Sequence, residues 1–422
     1  MRVRWRLPVA LTACIVVAQL SPLSPLVDVV TWTAPASARL SYPFWHVLFA
    51  PFTLLADWLN GGSRRDLIGF GIWAVLACAL LRLAAAGAAA RRRALREAGA
   101  AVLFAAGLAA FVAWGYWLPR PIPRLVAADP DLLVLDVHSH TALSHDGRPG
   151  FGAARNAEWH ARAGFDAAFV TDHNVFGAAS IWRRDAAGRA PRLLDGEELS
   201  LSGLHLVVLG TMGEIANQPY DRSWDSTGAL VRTLHADSLY LIASLPEYWE
   251  HHWGAPLGEL TTWGVDGFEI WTESPRAMDI PPVDRRAVIA RCRLENRTMF
   301  GATDMHGYGN AATVWNLVRL PGWRAPNDTA LARALIARFR SGGVTANQVV
   351  ALRRWFPETR LGSAFAVPVN LALLLRTASR PHAALLLVWI WLLAIARSRR
   401  SRPARLSAAP DSPPPSASRQ PA

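Results

Sequence analysis

Leu-Val-Leu-Asp-Val-His-Ser-His-Thr-Ala-Leu-Ser-His-Asp-Gly, residues 133–147, is the stretch that decides the fold. The apolar run Leu132–Leu135 reads as a buried strand. Its end delivers Asp136, His138 and His140, and a turn with His145 and Asp146 follows. Residues two apart on a strand point to one side, so His138 and His140 converge on a common point, as two imidazoles must to share a metal ion. A strand that ends in His-x-His aims nitrogen ligands into the mouth of a barrel.

Three further strand ends repeat the device. Val170-Thr171-Asp172-His173-Asn174 closes the apolar run from Phe165. Asp195-Gly196-Glu197-Glu198 supplies carboxylates, and Glu198, with two oxygens, can bridge two metals. His205 lies on the next strand, and Gly301-Ala302-Thr303-Asp304-Met305-His306-Gly307 again sets two ligand types two residues apart. Ten of the twelve histidines lie between 138 and 306. Either side chain alone could serve structure, but four such ends in this order point to a metal centre.

Short apolar strands near 132–137, 166–171, 203–209, 238–243, 265–271 and 298–303 alternate with helical stretches near 152–163, 283–295 and 328–341. That alternation predicts an α/β barrel or doubly wound sheet over 131–356.

The net charge of +12 lies outside this segment, where 22 Arg face 26 Asp and Glu between 128 and 356. Nucleic acid is therefore not an expected partner. The positive excess flanks apolar stretches, as arginines flank membrane spans. Residues 1–118 read as a membrane region with spans at about 7–27, 67–88 and 98–118, and residues 119–130 as a Pro-rich linker. Residues 357–397 read as a second membrane region with a span at about 380–396, before a basic, Pro/Ser-rich, disordered tail at 398–422. The apolar stretch 43–59 is short for a span and more like an interfacial segment, and 361–375 carries Pro368 and Asn370; if either spanned, at least one arginine cluster would face the wrong way. With the N-terminal arginines, Arg91–Arg96 and the C-terminal arginines on the cytoplasmic side, four spans place 131–356 across the membrane. The expected setting is a bacterial inner membrane with the domain in the periplasm and the lipid bilayer as partner.

All 44 basic residues are Arg, which excludes a Walker A loop, a Schiff-base lysine and a carboxylated-lysine metal bridge. Cys14, Cys78 and Cys292 cannot make a disulfide framework or a cysteine-rich zinc site.

Asp-Val-His-Ser-His-Thr, Ser-His-Asp-Gly, Thr-Asp-His-Asn, Gly-x-Glu and Gly-x-x-Asp-x-His, in that order over roughly 131–345, resemble the PHP (polymerase and histidinol phosphatase) family. The resemblance implies a distorted (β/α)7 TIM-like barrel, here flanked by transmembrane helices. It also implies two or three divalent metals at the C-terminal face and metal-dependent hydrolysis, usually of phosphoesters. Carried over, the ligands are His138, His140, His173, Glu198, His205, Asp304 and His306. Where the family has Ser-Asp-Gly this chain has Ser144-His145-Asp146-Gly147, so His145 or Asp146 is the turn ligand, Asp146 being preferred because it keeps Asp-Gly. Leu245 stands where the family commonly has a histidine before proline, so one ligand, of a third metal, is missing or is replaced by His251 or His252. Glu269 matches an acidic position expected behind the ligands.

A nitrogen- and carboxylate-rich centre suits zinc, manganese or iron. Under this reading His205, His306 and Asp304 complete the catalytic set, one of the histidines giving a proton to the leaving oxygen, and Arg184, Arg192 or Arg276 grips a small phosphorylated substrate. Two rivals remain: hydrolysis of non-phosphate esters, and a degenerate barrel that binds or senses.

Overall fold

A computed structural model of the chain describes residues 5–84, 90–186, 191–201, 203–216, 223–244, 256–274 and 277–400. Leu245, His251, His252, Arg276 and 401–422 of the tail lie outside the described residues, as does the side chain of Arg184.

The strands in chain order are β1 (Leu26–Asp28), β2 (Ala38–Ser41), β3 (Arg124–Ala127), β4 (Leu132–Asp136), β5 (Ala167–Val170), β6 (Arg192–Leu201), β7 (Leu204–Leu209), β8 (Tyr240–Ser244), β9 (Gly267–Thr272), β10 (Thr298–Ala302), β11 (Val314–Arg319) and β12 (Gln348–Leu352). Ten of them form one sheet in the order β1-β12-β11-β4-β5-β6-β7-β8-β9-β10, and β2 pairs with β3 apart. The fold is mixed α/β, with a curled sheet.

Every residue of β4, β5, β8 and β9 is buried. Strands covered on both faces read as apolar runs, which is why they were visible in the sequence. Leu133 and Leu135 pack with Phe169, Leu194, Val207, Ile242 and Phe300 in one core cluster, which the helix Asp328–Gly342 joins through Leu331, Leu335 and Phe339.

The departure from an all-parallel (β/α)7 barrel has two causes. β6 and β7 form an antiparallel hairpin, and β7 pairs antiparallel with β8. β11 then pairs antiparallel with β4 and β12, so the sheet continues past β4 toward the N-terminal β1. The curl brings the β10 end back to β4. His140 N donates to Met305 O at 2.9 Å, and Asp304 N donates to His138 O at 3.0 Å. Asn316 on β11 completes the seam: its amide donates to Leu135 O (3.1 Å) and Gly301 O (2.6 Å), and its Oδ1 accepts from Gly301 N at 2.9 Å. A Cβ on Gly301 would lie 2.3 Å from Val314 Cγ2, so only glycine lets β10 approach so closely.

Residues 124–127, expected within a linker, are β3, and residues 26–28, expected within a membrane region, are an edge strand of the main sheet. The helices Ala50–Asn60 and Ala90–Trp117 are fixed to the sheet's upper loops. Asn60 Oδ1 accepts from Asn310 N (2.6 Å) and Ala311 N (3.2 Å), Asn310 Nδ2 donates to Gly115 O and Leu118 O (both 2.9 Å), and Gly309 N donates to Tyr116 O (3.1 Å). Arg354 joins them through Asp66 (2.9 Å) and Trp58 O (2.7 Å).

Among the described residues, two helical segments are long and apolar enough to cross a membrane, Gly99–Trp117 and Arg380–Arg399, and little of either is buried. They coincide with two of the four expected spans. The expected span at 7–27 corresponds to the helix Arg6–Leu20, apolar but only 15 residues long, and that at 67–88 to Arg64–Ala84, which runs up to the undescribed residues 85–89.

Candidate metal centre

The ends of β4, β5, β6 and β10 meet at one face of the curled sheet. His138 and His140 follow β4, as the two-residue period requires, and their Nε2 atoms lie 2.9 Å apart. Glu198 of β6 sits against both, its Oε2 being 2.9 Å from His138 Nε2 and 3.1 Å from His140 Nε2. Asp304 closes this group, its Oδ1 lying 3.4 Å from His138 Nε2 and 3.2 Å from His140 Nε2. All four side chains are buried or nearly so.

A second group shares Glu198. His173 Nδ1 lies 3.2 Å from Glu198 Oε2, and His205 Nδ1 lies 2.9 Å from Glu198 Oε1. The β6–β7 hairpin makes this possible, because its register sets Ser200 opposite His205 and so returns His205 to the face that carries Glu198. A third group is formed by His140, His173 and His306, with the His140 and His306 rings stacked at 3.9 Å. Asp146 Oδ2 faces it, 3.4 Å from His173 Nε2 and 3.2 Å from His306 Nε2.

Both turn candidates are exposed; Asp146 reaches both His173 and His306, whereas His145 stands beside His173 with ring centroids 5.0 Å apart, in one group with it and Asp146. The turn is tight at Gly147, where a Cβ would lie 2.0 Å from Thr141 O. Ser144 Oγ donates to Asp146 Oδ1 at 3.0 Å and holds the carboxylate in place.

The donor set fits divalent metal. Both oxygens of Glu198 are buried and without a hydrogen bond among the described residues, and so is His306 Nε2. Atoms that face imidazole nitrogens at about contact distance without hydrogen-bond geometry are arranged around a shared point rather than toward one another. The groups behind them fix the tautomers. His138 Nδ1 donates to Glu269 Oε1 at 2.7 Å, which leaves Nε2 as the lone pair on the cluster side. Ser244 Oγ (2.6 Å) and Thr272 Oγ1 (2.8 Å) donate to the other Glu269 oxygen. His306 Nδ1 donates to Asp304 O at 2.7 Å, with the same result for its Nε2. Asp304 and Asn174 both hold left-handed backbone, at φ 50° and 51°, a strained setting that occurs at functional sites.

The electrostatics agree. Burial opposes charge on His138, but Glu198, Glu269 and Asp304 outweigh it and hold its pKa well above the ordinary value. Burial would raise Glu198, yet His138 and His205 hold it well below. Burial likewise opposes charge on Asp304 and Asp146, and the neighbouring histidines pull both below the carboxylate range. His306 is desolvated, but Asp304 and Asp146 push it up to about 9. Protons here occupy positions that a cation competes for.

Several expected residues face elsewhere. Asp136 pairs with His160 (2.9 Å) and Thr303. Asp172 accepts from Thr141 N (2.6 Å) and Thr141 Oγ1 (2.8 Å). Glu197 accepts from Ile215 N at 2.9 Å. Arg192 is turned away to Asp328, Trp323 O and Pro326 O, so it is not the expected phosphate grip.

The centre opens on a pocket of about 270 Å³, lined by Asp146, His173, His205, Asp304 and His306, and also by Glu273, Tyr308, Asn60 and Tyr116. Sequence reasoning missed the last four. Glu273 follows β9 four residues after Glu269, and that spacing was its only signal. Glu273 is buried, a burden that raises its pKa well above the usual range even though Thr313 N and Val314 N donate to its Oε1.

No protein-family model matches the chain, and no curated protein matches it. Among solved structures it is similar to a two-domain protein from Bacteroides vulgatus assigned a PHP-like metal-dependent phosphoesterase domain, at 16% identity and a TM-score of 0.38 over 52% of this chain and 64% of that one. It is also similar to PsfC from Pseudomonas syringae, at 14% identity and a TM-score of 0.37 over 63% of this chain and 99% of that one. A third is a protein from Bifidobacterium adolescentis assigned as a metal-dependent phosphoesterase, at 13% identity and a TM-score of 0.34 over 42% and 88%. At such identities and scores nothing about this chain's activity follows from them.

Proposed function

We propose that the chain is a metal-dependent hydrolase of ester bonds, with phosphoesters as the first substrate class. One observation carries this reading: the buried Glu198 carboxylate has no hydrogen bond among the described residues, and it presents one oxygen to His138 and His140 and the other to His205. His138, His140, Glu198 and Asp304 would hold one divalent ion, and Glu198, His173 and His205 a second, with His306 and Asp146 at the edge of both. Bound zinc, manganese or iron would make water a nucleophile at neutral pH and offset charge on the substrate.

The protein's own groups do the rest. Glu269 keeps His138 in the binding tautomer. Glu273, whose pKa burial raises and which stands in the pocket wall, is suited to give a proton to the leaving oxygen, beside the histidines His205 and His306. Asn60 and Tyr116 close the pocket on the side of the apolar helices.

A second reading has its own support. Among the described residues that line the pocket there is no arginine. A phosphomonoester dianion usually meets one. The described wall, which runs to Ser274 with Arg276 outside it, accommodates a phosphodiester or a carboxylic ester as well as a phosphomonoester.

We place this enzyme in a membrane. The apolar Gly99–Trp117 and Arg380–Arg399, of which little is buried, support that reading, and the arginine clusters favour a non-cytoplasmic site. Reporter fusions at residues 93, 125 and 405 test it: alkaline-phosphatase activity at 125 alone is expected, and activity at 93 overturns the topology.

The activity test uses the full-length protein, metal analysis and a panel of 4-nitrophenyl phosphate, bis(4-nitrophenyl) phosphate and 4-nitrophenyl acetate with each metal. Metal-dependent turnover of the diester, lost in His138→Ala, is expected. Less than one metal per chain, unchanged by His138→Ala, would favour a binding module instead.

A further inference from the structure

The helix Pro282–Leu294 carries Arg285 in its first turn, and that side chain is 3% exposed. Its guanidinium lies against two neighbouring rings, 4.6 Å from the centroid of Trp271 and 4.7 Å from that of Phe356. Its Nε and Nη2 are buried and have no hydrogen-bond partner among the described residues. Burial alone lowers its pKa to about 9, with no carboxylate acting against that shift. Buried charges are ordinarily paired, and the peptide dipoles at a helix N-terminus oppose a cation there. The neighbouring arginines show the ordinary arrangement. Arg354 is paired with Asp66 at 2.9 Å, and the exposed Arg286 with Glu358 at 2.9 Å.

Arg285 lines a cavity of about 540 Å³ whose walls include Trp32, Ile289, Trp355 and Phe356. That cavity shares no lining residue with the pocket over the metal centre. Its volume is that of a small-molecule site, and its wall mixes these apolar groups with Arg286, Arg354 and Thr359 and with one carboxylate, Glu358, which Arg286 pairs. Trp271 and Phe356, packed edge to face with centroids 5.2 Å apart, together hold the guanidinium in place.

We infer that this cavity binds a small amphiphilic oxyanion, a carboxylate or phosphate group on an aromatic or aliphatic body. Arg285 meets the oxyanion, and Trp32, Trp355 and Phe356 enclose the body. The site is independent of the hydrolase reading, and its ligand need not be the substrate.

Calorimetric titration of the full-length, chelator-treated protein tests this with four probes: 2-naphthoate, 2-naphthyl phosphate, the neutral 2-naphthamide and inorganic phosphate. Saturable binding of the naphthyl anions is expected, with 2-naphthamide and inorganic phosphate at least tenfold weaker. The stronger of the two naphthyl anions identifies the headgroup. Arg285→Gln should weaken the anions at least tenfold and leave 2-naphthamide unchanged. Trp355→Ala, at the partly exposed rim, should weaken all three naphthyl probes, and it serves if the Arg285 variant does not fold. Equal binding of naphthoate and naphthamide, no saturable binding of either anion, or indifference to both substitutions overturns the inference.

Discussion

Glu269 Oε1 lies 2.7 Å from His138 Nδ1, and both side chains are buried. The carboxylate has no ligand role of its own, since Ser244 and Thr272 occupy its other oxygen. It acts through the imidazole, by fixing which nitrogen carries the proton and by making the other a better donor to metal. Glu269→Gln should leave the chain folded and lower metal affinity by about 10–100-fold, the cost that such outer partners carry. Competition with a chelating dye measures it. Unchanged affinity would reduce Glu269 to a packing residue.

Glu198 makes a different prediction, because it is shared. Loss of a ligand that serves one ion should leave the other bound, whereas loss of Glu198 should affect both. Glu198→Ala should therefore take the metal content from two per chain to below one, and His205→Ala from two to one. Metal analysis after gel filtration separates the two outcomes. Equal stoichiometry in both variants would rule out the bridging role.

The turn offers a comparison between neighbours. Asp146 reaches His173 and His306 at 3.4 and 3.2 Å, while His145, also exposed, stands beside His173. Asp146→Asn should lower turnover at least tenfold, and His145→Ala should change it by less than about threefold, as surface substitutions do. The reverse order would make His145 the ligand.

The strands that were legible in the sequence are those buried on both faces, where an apolar run ends in a ligand: Leu132–Asp136, Ala167–Val170 and Thr298–Ala302. β6 was seen only as its carboxylates, because Asp195, Glu197 and Glu198 interrupt its apolar pattern. β1 and β12 pair across more than 300 residues of chain, a contact without a local signal. The ligand histidines were legible for a chemical reason, since few other roles ask for His-x-His at a strand end. Arg184, Arg192 and Arg276 could not be told apart as phosphate grips, because charge alone does not tell a substrate grip from a partner such as Arg192 is for Asp328. Asn60 and Tyr116 could not have been found, because their place in the pocket depends on how Asn310 and Gly309 hold the N-terminal helices.

Glu273 connects stability to chemistry. Burial raises its pKa well above the ordinary carboxylate value, and the two backbone N–H groups from Thr313 and Val314 do not offset that. An acid whose pKa is higher in the folded chain binds its proton more tightly there than in the unfolded chain. Its stabilising contribution is thus complete below the unfolded pKa of about 4.3 and is lost as pH rises through the folded value. Glu273→Gln keeps an oxygen for both N–H groups and removes the charge. Its melting temperature should exceed that of the parent at pH 8, by the equivalent of roughly 1–3 kcal/mol for a relieved buried charge, and the gap should close toward pH 4. If Glu273 also gives a proton to the leaving oxygen, the same variant should lose about 10²–10⁴ in kcat on esters of poorly acidic alcohols. It should lose little on 4-nitrophenyl esters, whose leaving group needs no proton. A uniform loss across leaving groups would show that Glu273 shapes the pocket without donating, and unchanged kinetics with the raised melting temperature would leave it a buried acid of structural consequence only.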